Sequence, residues 1–208
     1  MMGLKGKLLV LGFFIFFFSN QATASHLTGG EITWECLPTG QYRFTLVLYR
    51  DCTGIAAPGG PIGLLNNAGA TVSCTKISTE YFNPECGAPP CSSVPSGTVG
   101  AMEKHTYRSG PITLTGTPPG GGWTFSWTDC CRPSTGNING QPAYYLSAIM
   151  YPYVPPGAGT PLTANPCYDN SPNFLEAPLV TVCTNKPAEY QAIGYDKDLD
   201  SLYYDCLL

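Results

Sequence analysis

The sequence predicts an all-β fold, a disulfide-bonded β-sandwich, and three observations lead there. Gly and Pro, 24 and 20 of the 208 residues, make up about a fifth of the chain, against roughly 12% in an average protein. Helix breakers at that density exclude a helical bundle or coiled coil. Short runs of alternating apolar and polar residues recur between Pro/Gly turns, the pattern of strands with one buried face. Ten cysteines follow an apolar leader, and an even set in an exported chain reads as a disulfide framework.

The leader comes first. Lys5 and Lys7 precede an apolar stretch from Leu8 to Phe18, and Ala22-Thr23-Ala24 sets small residues before a cleavage point. The apolar stretch is about half of the ~20 residues that a spanning helix needs. Residues 1–24 are therefore expected to be a cleaved signal peptide that leaves Ser25 as the mature N-terminus. No other stretch is apolar enough to span, so the product is expected to be secreted or at the cell surface. Losing two of the ten basic residues leaves eight against fourteen acidic ones, a charge of −6. An acidic surface disfavours nucleic acid as a partner.

Strands follow in order. Ile32, Trp34 and Cys36 alternate with Thr33 and Glu35. Leu37-Pro38-Thr39-Gly40 is a turn, after which Tyr42, Phe44, Leu46 and Leu48 share one face of a run from Gln41 to Arg50. Two such runs across a Pro/Gly turn predict a hairpin. Further strands are expected at 70–77, 104–108, 112–115, 123–128 and 144–150, with Pro/Gly loops at 83–100 and 151–166. These make a Cys-rich domain over residues 25–165. Residues 166–208 hold three more apolar runs, 179–183, 189–195 and 202–208. That is near the lower limit for a unit that folds alone, and the apolar end Leu207-Leu208 reads as a truncation.

The cysteines are Cys36, Cys52, Cys74, Cys86, Cys91, Cys130, Cys131, Cys167, Cys183 and Cys206. All are disulfide candidates, because neither His26 nor His105 stands at metal-ligand spacing from them. Connectivity is not readable. Cys130 and Cys131 are adjacent and in a strand point to opposite faces, so they are expected to take different partners. Cys86 and Cys91 bracket a Pro-rich loop and are placed to close it locally.

Several residues carry candidate sites. Asp196, Asp198 and Asp200 alternate, so in an extended loop their carboxylates can converge on Ca²⁺. The alternative is a solvated acidic turn. An EF-hand is excluded, since its sixth and twelfth positions would be Ser201 and Leu207. Trp123, Phe125 and Trp127 share a strand face, either as a sugar platform or, more simply, as core. Tyr144, Tyr145, Tyr151 and Tyr153 are the better candidates for ligand contact, because tyrosines in loops give contact area at low entropic cost. No cofactor other than Ca²⁺ is expected. No triad, nucleophile elbow or metal helix can be assembled, so the chain reads as a non-enzyme.

Three stretches together carry a likeness. Ser25-His26-x-x-Gly29-Gly30-Glu31-Ile32, Leu48-Tyr49-Arg50-Asp51-Cys52 and Cys130-Cys131-Arg132 resemble, in the same order, the N-terminal region of large surface proteins of Bacteroidota. Those are PKD- or Ig-like repeat proteins, often gliding-motility-associated. Asn170-Ser171-Pro172-Asn173-Phe174 and Tyr195-Asp196-Lys197-Asp198-Leu199-Asp200-Ser201-Leu202 resemble the opening half of a cadherin-like or Ig-like repeat, with Leu199 where the pattern has Gly. The resemblance implies an Ig-like sandwich, a partial repeat over 166–208, and an adhesion-type surface module with a protein or glycan partner. The alternatives are a secreted carbohydrate-binding module and, further off, a hydrolase using His105.

Overall fold

The computed structural model describes residues 27–52, 54, 56–82, 91, 101–130, 132, 143–175, 187, 189 and 191–204. The expected signal peptide, the cysteines Cys86, Cys131, Cys183 and Cys206, and the run 179–183 lie outside the described residues.

The described residues contain nine strands and no α-helix. They are β1 (Leu27–Cys36), β2 (Tyr42–Asp51), β3 (Ile62–Asn66), β4 (Thr71–Phe82), β5 (Met102–Ser109), β6 (Trp123–Asp129), β7 (Tyr144–Met150), β8 (Asn173–Phe174) and β9 (Gly194–Tyr195). The first seven form one antiparallel sheet in the order β1-β2-β5-β4-β3-β6-β7. The meander β3-β4-β5 with β6 returning beside β3 is a Greek key. The sheet curls until β1 and β7 pack together, giving a nearly closed, sandwich-like all-β domain. Gly30 permits that approach: a Cβ there would lie 2.6 Å from the Val47 carbonyl oxygen and 2.7 Å from Leu146 Cδ1.

The expected hairpin forms, with Cys36 opposite Tyr42 and Ile32 opposite Leu46. Gly40 closes its turn at φ 78°, a left-handed conformation that suits a residue without Cβ. The inner face carries Trp34, Tyr42, Phe44, Leu46, Leu48 and Tyr107. Trp123, Phe125 and Trp127 are core too, and the Phe44 and Phe125 rings meet at 4.5 Å. Each such side chain contributes roughly 1.5–3 kcal/mol by leaving water.

Four expected strands differ from the structure. Residues 112–115 are not a strand: Ile112 makes a single bridge to Tyr42 and nothing more, because Pro111 and the Pro118-Pro119 pair leave no room to extend pairing. Residues 202–204 are irregular, and of the described residues in 189–195 only Gly194 and Tyr195 join a strand pair, with Asn173 and Phe174. β3 lies where the sequence predicts no strand. β4 in turn runs to Phe82, past the expected end at Ile77, because β5 pairs with it as far as Met102.

The C-terminal segment is bound to the sheet. Cys36 and Cys167 form a disulfide across 131 residues. Beyond it the chain follows the outer edge of β1: Ser171 N–H donates to the Trp34 carbonyl at 3.0 Å, and Trp34 N–H donates to Ser171 Oγ at 2.8 Å. Cys36 N–H donates to Asn170 Oδ1 at 2.8 Å. These bonds occupy backbone groups that an open sheet edge would otherwise leave unpaired.

Candidate functional site

The outer face of β1, β2, β5 and β4 forms the floor of a groove of about 470 Å³. Antiparallel register builds that floor in rows. Glu31 stands opposite Val47, Val47 opposite Thr106, and Thr106 opposite Ser78, so four strands contribute one line of side chains. The neighbouring row sets Thr33 beside Thr45 and Thr45 beside Arg108. Lys104 faces Glu80, with Nζ 3.7 Å from Oε1. Asn173, Tyr195 and Lys197, from the β8–β9 strap and the residues after it, supply one wall.

Glu31 is the unusual group. Its carboxylate accepts the Phe174 backbone N–H, while Oε2 is buried and among the described residues has no hydrogen-bond partner. Burial raises its pKa above the ordinary carboxylate value, and Lys104 and the Phe174 bond only partly oppose that. Buried polar atoms in folded proteins are nearly always paired. Glu31 also borders a second cleft of about 330 Å³ between β1 and β7, lined by Gly30, Ile32, Leu146, Ala148 and Phe174. The period-2 position of Glu31 on a strand is legible in the sequence; the strap above it is not.

The predicted tyrosines divide. Tyr145, Tyr151 and Tyr153 are exposed, and Tyr153 stacks on Tyr168 with ring centres 6.3 Å apart. Tyr144 is a correction. It points into the core and is buried beneath Arg132, whose guanidinium sits 4.9 Å from the ring. Alternation along β7 sends Tyr144 and Tyr145 to opposite faces, and Tyr145 is one strand length from Tyr151, so the four do not form one surface.

Asp196, Asp198 and Asp200 are brought together with Asp169, but as a lock. Asp196 Oδ1 accepts the Asp198 and Asp200 backbone N–H groups at 2.8 and 3.1 Å. Asp198 accepts from Asn170, and Asp169 Oδ2 accepts Trp34 Nε1–H at 3.1 Å. Among the described residues, no group of three or more His, Cys, Asp or Glu side chains is arranged to hold a metal ion.

The cysteines also differ from expectation. Cys91 bonds Cys52, not Cys86, which ties it to the end of β2 across 39 residues. Cys130 is disulfide-bonded. Cys74 is a free thiol: it is fully buried on β4, where its ladder neighbours are Ile62 and Ser109. Burial pushes its pKa to about 11.

His105 lies in a different place from the groove, on the opposite face of β5. Its Nε2 is 2.8 Å from Glu103 Oε2 and its Nδ1 3.2 Å from Thr79 Oγ1. Glu103 Oε2 in turn accepts from Arg50 at 2.5 Å. The imidazole is 4% exposed, and with both ring nitrogens engaged it serves the sheet as a buried polar tie.

No family model, curated protein or solved structure matches this chain. The fold and the groove therefore stand on their own geometry. Two disulfides among the described residues indicate an oxidising compartment. No helix among those residues is long and apolar enough to cross a membrane.

Proposed function

We propose that this protein is a non-enzymatic, extracellular interaction module that takes its ligand in the groove over β1, β2, β5 and β4. One observation carries the reading. Glu31 Oε2 is a buried acceptor with no partner among the described residues, beside a cleft that also presents Lys104 and Arg108. A concave site with a few convergent polar groups and one perturbed acid is the usual form of a binding site. The likeness of the Gly29-Gly30-Glu31 and Cys130-Cys131-Arg132 stretches to Bacteroidota surface proteins supports an adhesion or gliding-associated role at the cell surface. Residues 166–208 would then belong to a partial Ig- or cadherin-like repeat docked on the first domain.

The test is adherence of the full secreted chain to cell-surface polymers, both polysaccharide and protein. Saturable binding is expected, with loss in an Arg108→Ala/Lys197→Ala double variant that keeps its melting temperature. Binding unchanged in that variant removes the groove as the site. Failure to bind any surface polymer removes the interaction reading.

Ca²⁺ at the Asp196–Asp200 loop is a companion proposal. The charges of Asp196, Asp198 and Asp200 all act on Asp169, and a cation would relieve them. A rise in melting temperature with Ca²⁺ that disappears in Asp200→Asn supports it; no rise removes it.

A further inference from the structure

We infer that the groove accepts a neutral, hydroxyl-rich glycan chain lying across the strands. This rests on the reading of the groove as a ligand site and names the ligand's chemistry.

Charge balance is the first argument. Glu31, Glu35 and Glu80 line the groove together with Lys104, Arg108 and Lys197. Three charges of each sign give no net field to collect a polyanion or a polycation. Opposite charges set side by side do match a hydroxyl, which donates to one and accepts from the other. Glu31 Oε2 is closed to solvent in the ligand-free fold; a sugar hydroxyl that displaced the chain above it would satisfy an acceptor that is orphaned among the described residues, and its oxygen would face the donors Lys104 and Arg108.

Shape and lining are the second. The row from Glu31 through Val47 and Thr106 to Ser78 crosses four strands, a span of roughly 14 Å at the usual strand spacing. An extended chain fits that length better than a compact metabolite. Tyr195 on the wall is half exposed and offers apolar surface for the C–H face of a sugar ring. Thr33 and Thr45 add neutral hydroxyl groups between the charges.

A peptide fits less well. Extended peptides are usually held by adding a strand to a free sheet edge. The groove lies on a face, and the β1 edge beside it is already bonded to Ser171 and Asn170.

The experiment is isothermal titration of the full secreted chain with soluble glucan, xylan, mannan and galactan oligosaccharides, alongside polyuronate and unstructured peptide. At least one neutral oligosaccharide is expected to bind saturably. Glu31→Gln and Arg108→Ala should each weaken it roughly tenfold or more, the ordinary worth of a hydrogen bond to a charged group. Glu31→Gln should meanwhile melt no lower than the parent, since a neutral amide is easier to bury than a carboxylate. Tyr151→Ala/Tyr153→Ala should leave binding unchanged, because those rings lie on a different surface. The inference is overturned if no neutral oligosaccharide binds, or if binding survives both groove variants or falls only with the tyrosine variant. Polyuronate or peptide binding that Arg108→Ala abolishes overturns the neutral glycan while leaving the interaction module intact.

Discussion

Asn170 gives both of its nitrogens to the Asp198 carboxylate. Its backbone N–H lies 2.7 Å from Oδ2 and its side-chain amide 2.9 Å from Oδ1. The amide oxygen of the same residue accepts the Cys36 backbone N–H, so one side chain joins the acidic loop to the edge of β1. Replacing Asp198 by Ala leaves the donors of the buried Asn170 unsatisfied. The expected loss is about 1–3 kcal/mol in chemical denaturation. An exposed turn residue would instead stay within about 0.5 kcal/mol, and that smaller value would refute the lock.

Asp169 gives a pH dependence with a definite sign. Burial, together with the charges of Asp198, Asp196 and Asp200, raises its pKa from 3.8 to about 6, against the opposing Trp34 hydrogen bond. Between those two values the native state holds a proton that the unfolded chain has lost. Stability from this group therefore falls as pH rises through that window. His105 acts in the other direction: burial lowers its pKa below 6.5, so acidification below that value destabilises the fold. The difference between Asp169→Asn and the parent isolates the first effect, because Asn can still accept from Trp34. The variant is expected to be more stable above pH 6 by about 1–2 kcal/mol, an advantage that fades toward pH 4. A difference that does not change with pH would show that Asp169 is not crowded.

How much of this was written in the chain depends on range. The β1–β2 hairpin and the Trp123-Phe125-Trp127 face were readable, because period-2 burial and a Pro/Gly turn are local signals. β3 was not. Leu64 and Leu65 are adjacent, which breaks the alternation, and Gly63 sits in the strand because a Cβ there would lie 2.7 Å from Thr71 Cγ2. The groove was unreadable for a different reason. Lys104 reaches Glu31 only through the β2–β5 register, and Glu31 is covered only because Phe174 returns over it. The acidic loop was found by its charge, yet its bonding partner, Asn170, is 28 residues away.

The disulfides Cys36–Cys167 and Cys52–Cys91 are expected to contribute unequally. Cys36–Cys167 closes 131 residues and Cys52–Cys91 closes 39. Loop-closure entropy alone makes the first worth about 1 kcal/mol more. It also anchors the segment that covers the β1 edge, so its loss should expose that edge to pairing with other chains. A Cys36→Ala/Cys167→Ala variant should melt lower than Cys52→Ala/Cys91→Ala and aggregate on heating. Equal melting temperatures would mean that Ser171 and Asn170 hold the segment without the covalent bond.

Leu199 offers the sharpest local test. It adopts φ 65° and is 84% exposed, so its side chain gains little from packing while its Cβ disfavours the left-handed backbone by about 1–2 kcal/mol. The conformation persists because Asp196 Oδ1 takes the N–H groups on both sides, from Asp198 and Asp200, and these bonds require the chain to reverse at that point. Leu199→Gly relieves the clash but gives the unfolded chain more freedom, which offsets up to about 1 kcal/mol. The net expectation is a gain of about 0.5–1 kcal/mol, a rise of a few degrees in melting temperature. A fall would contradict the strain argument and mean that the exposed leucine packs against something in solution, in which case Leu199→Ala should lower the melting temperature as well.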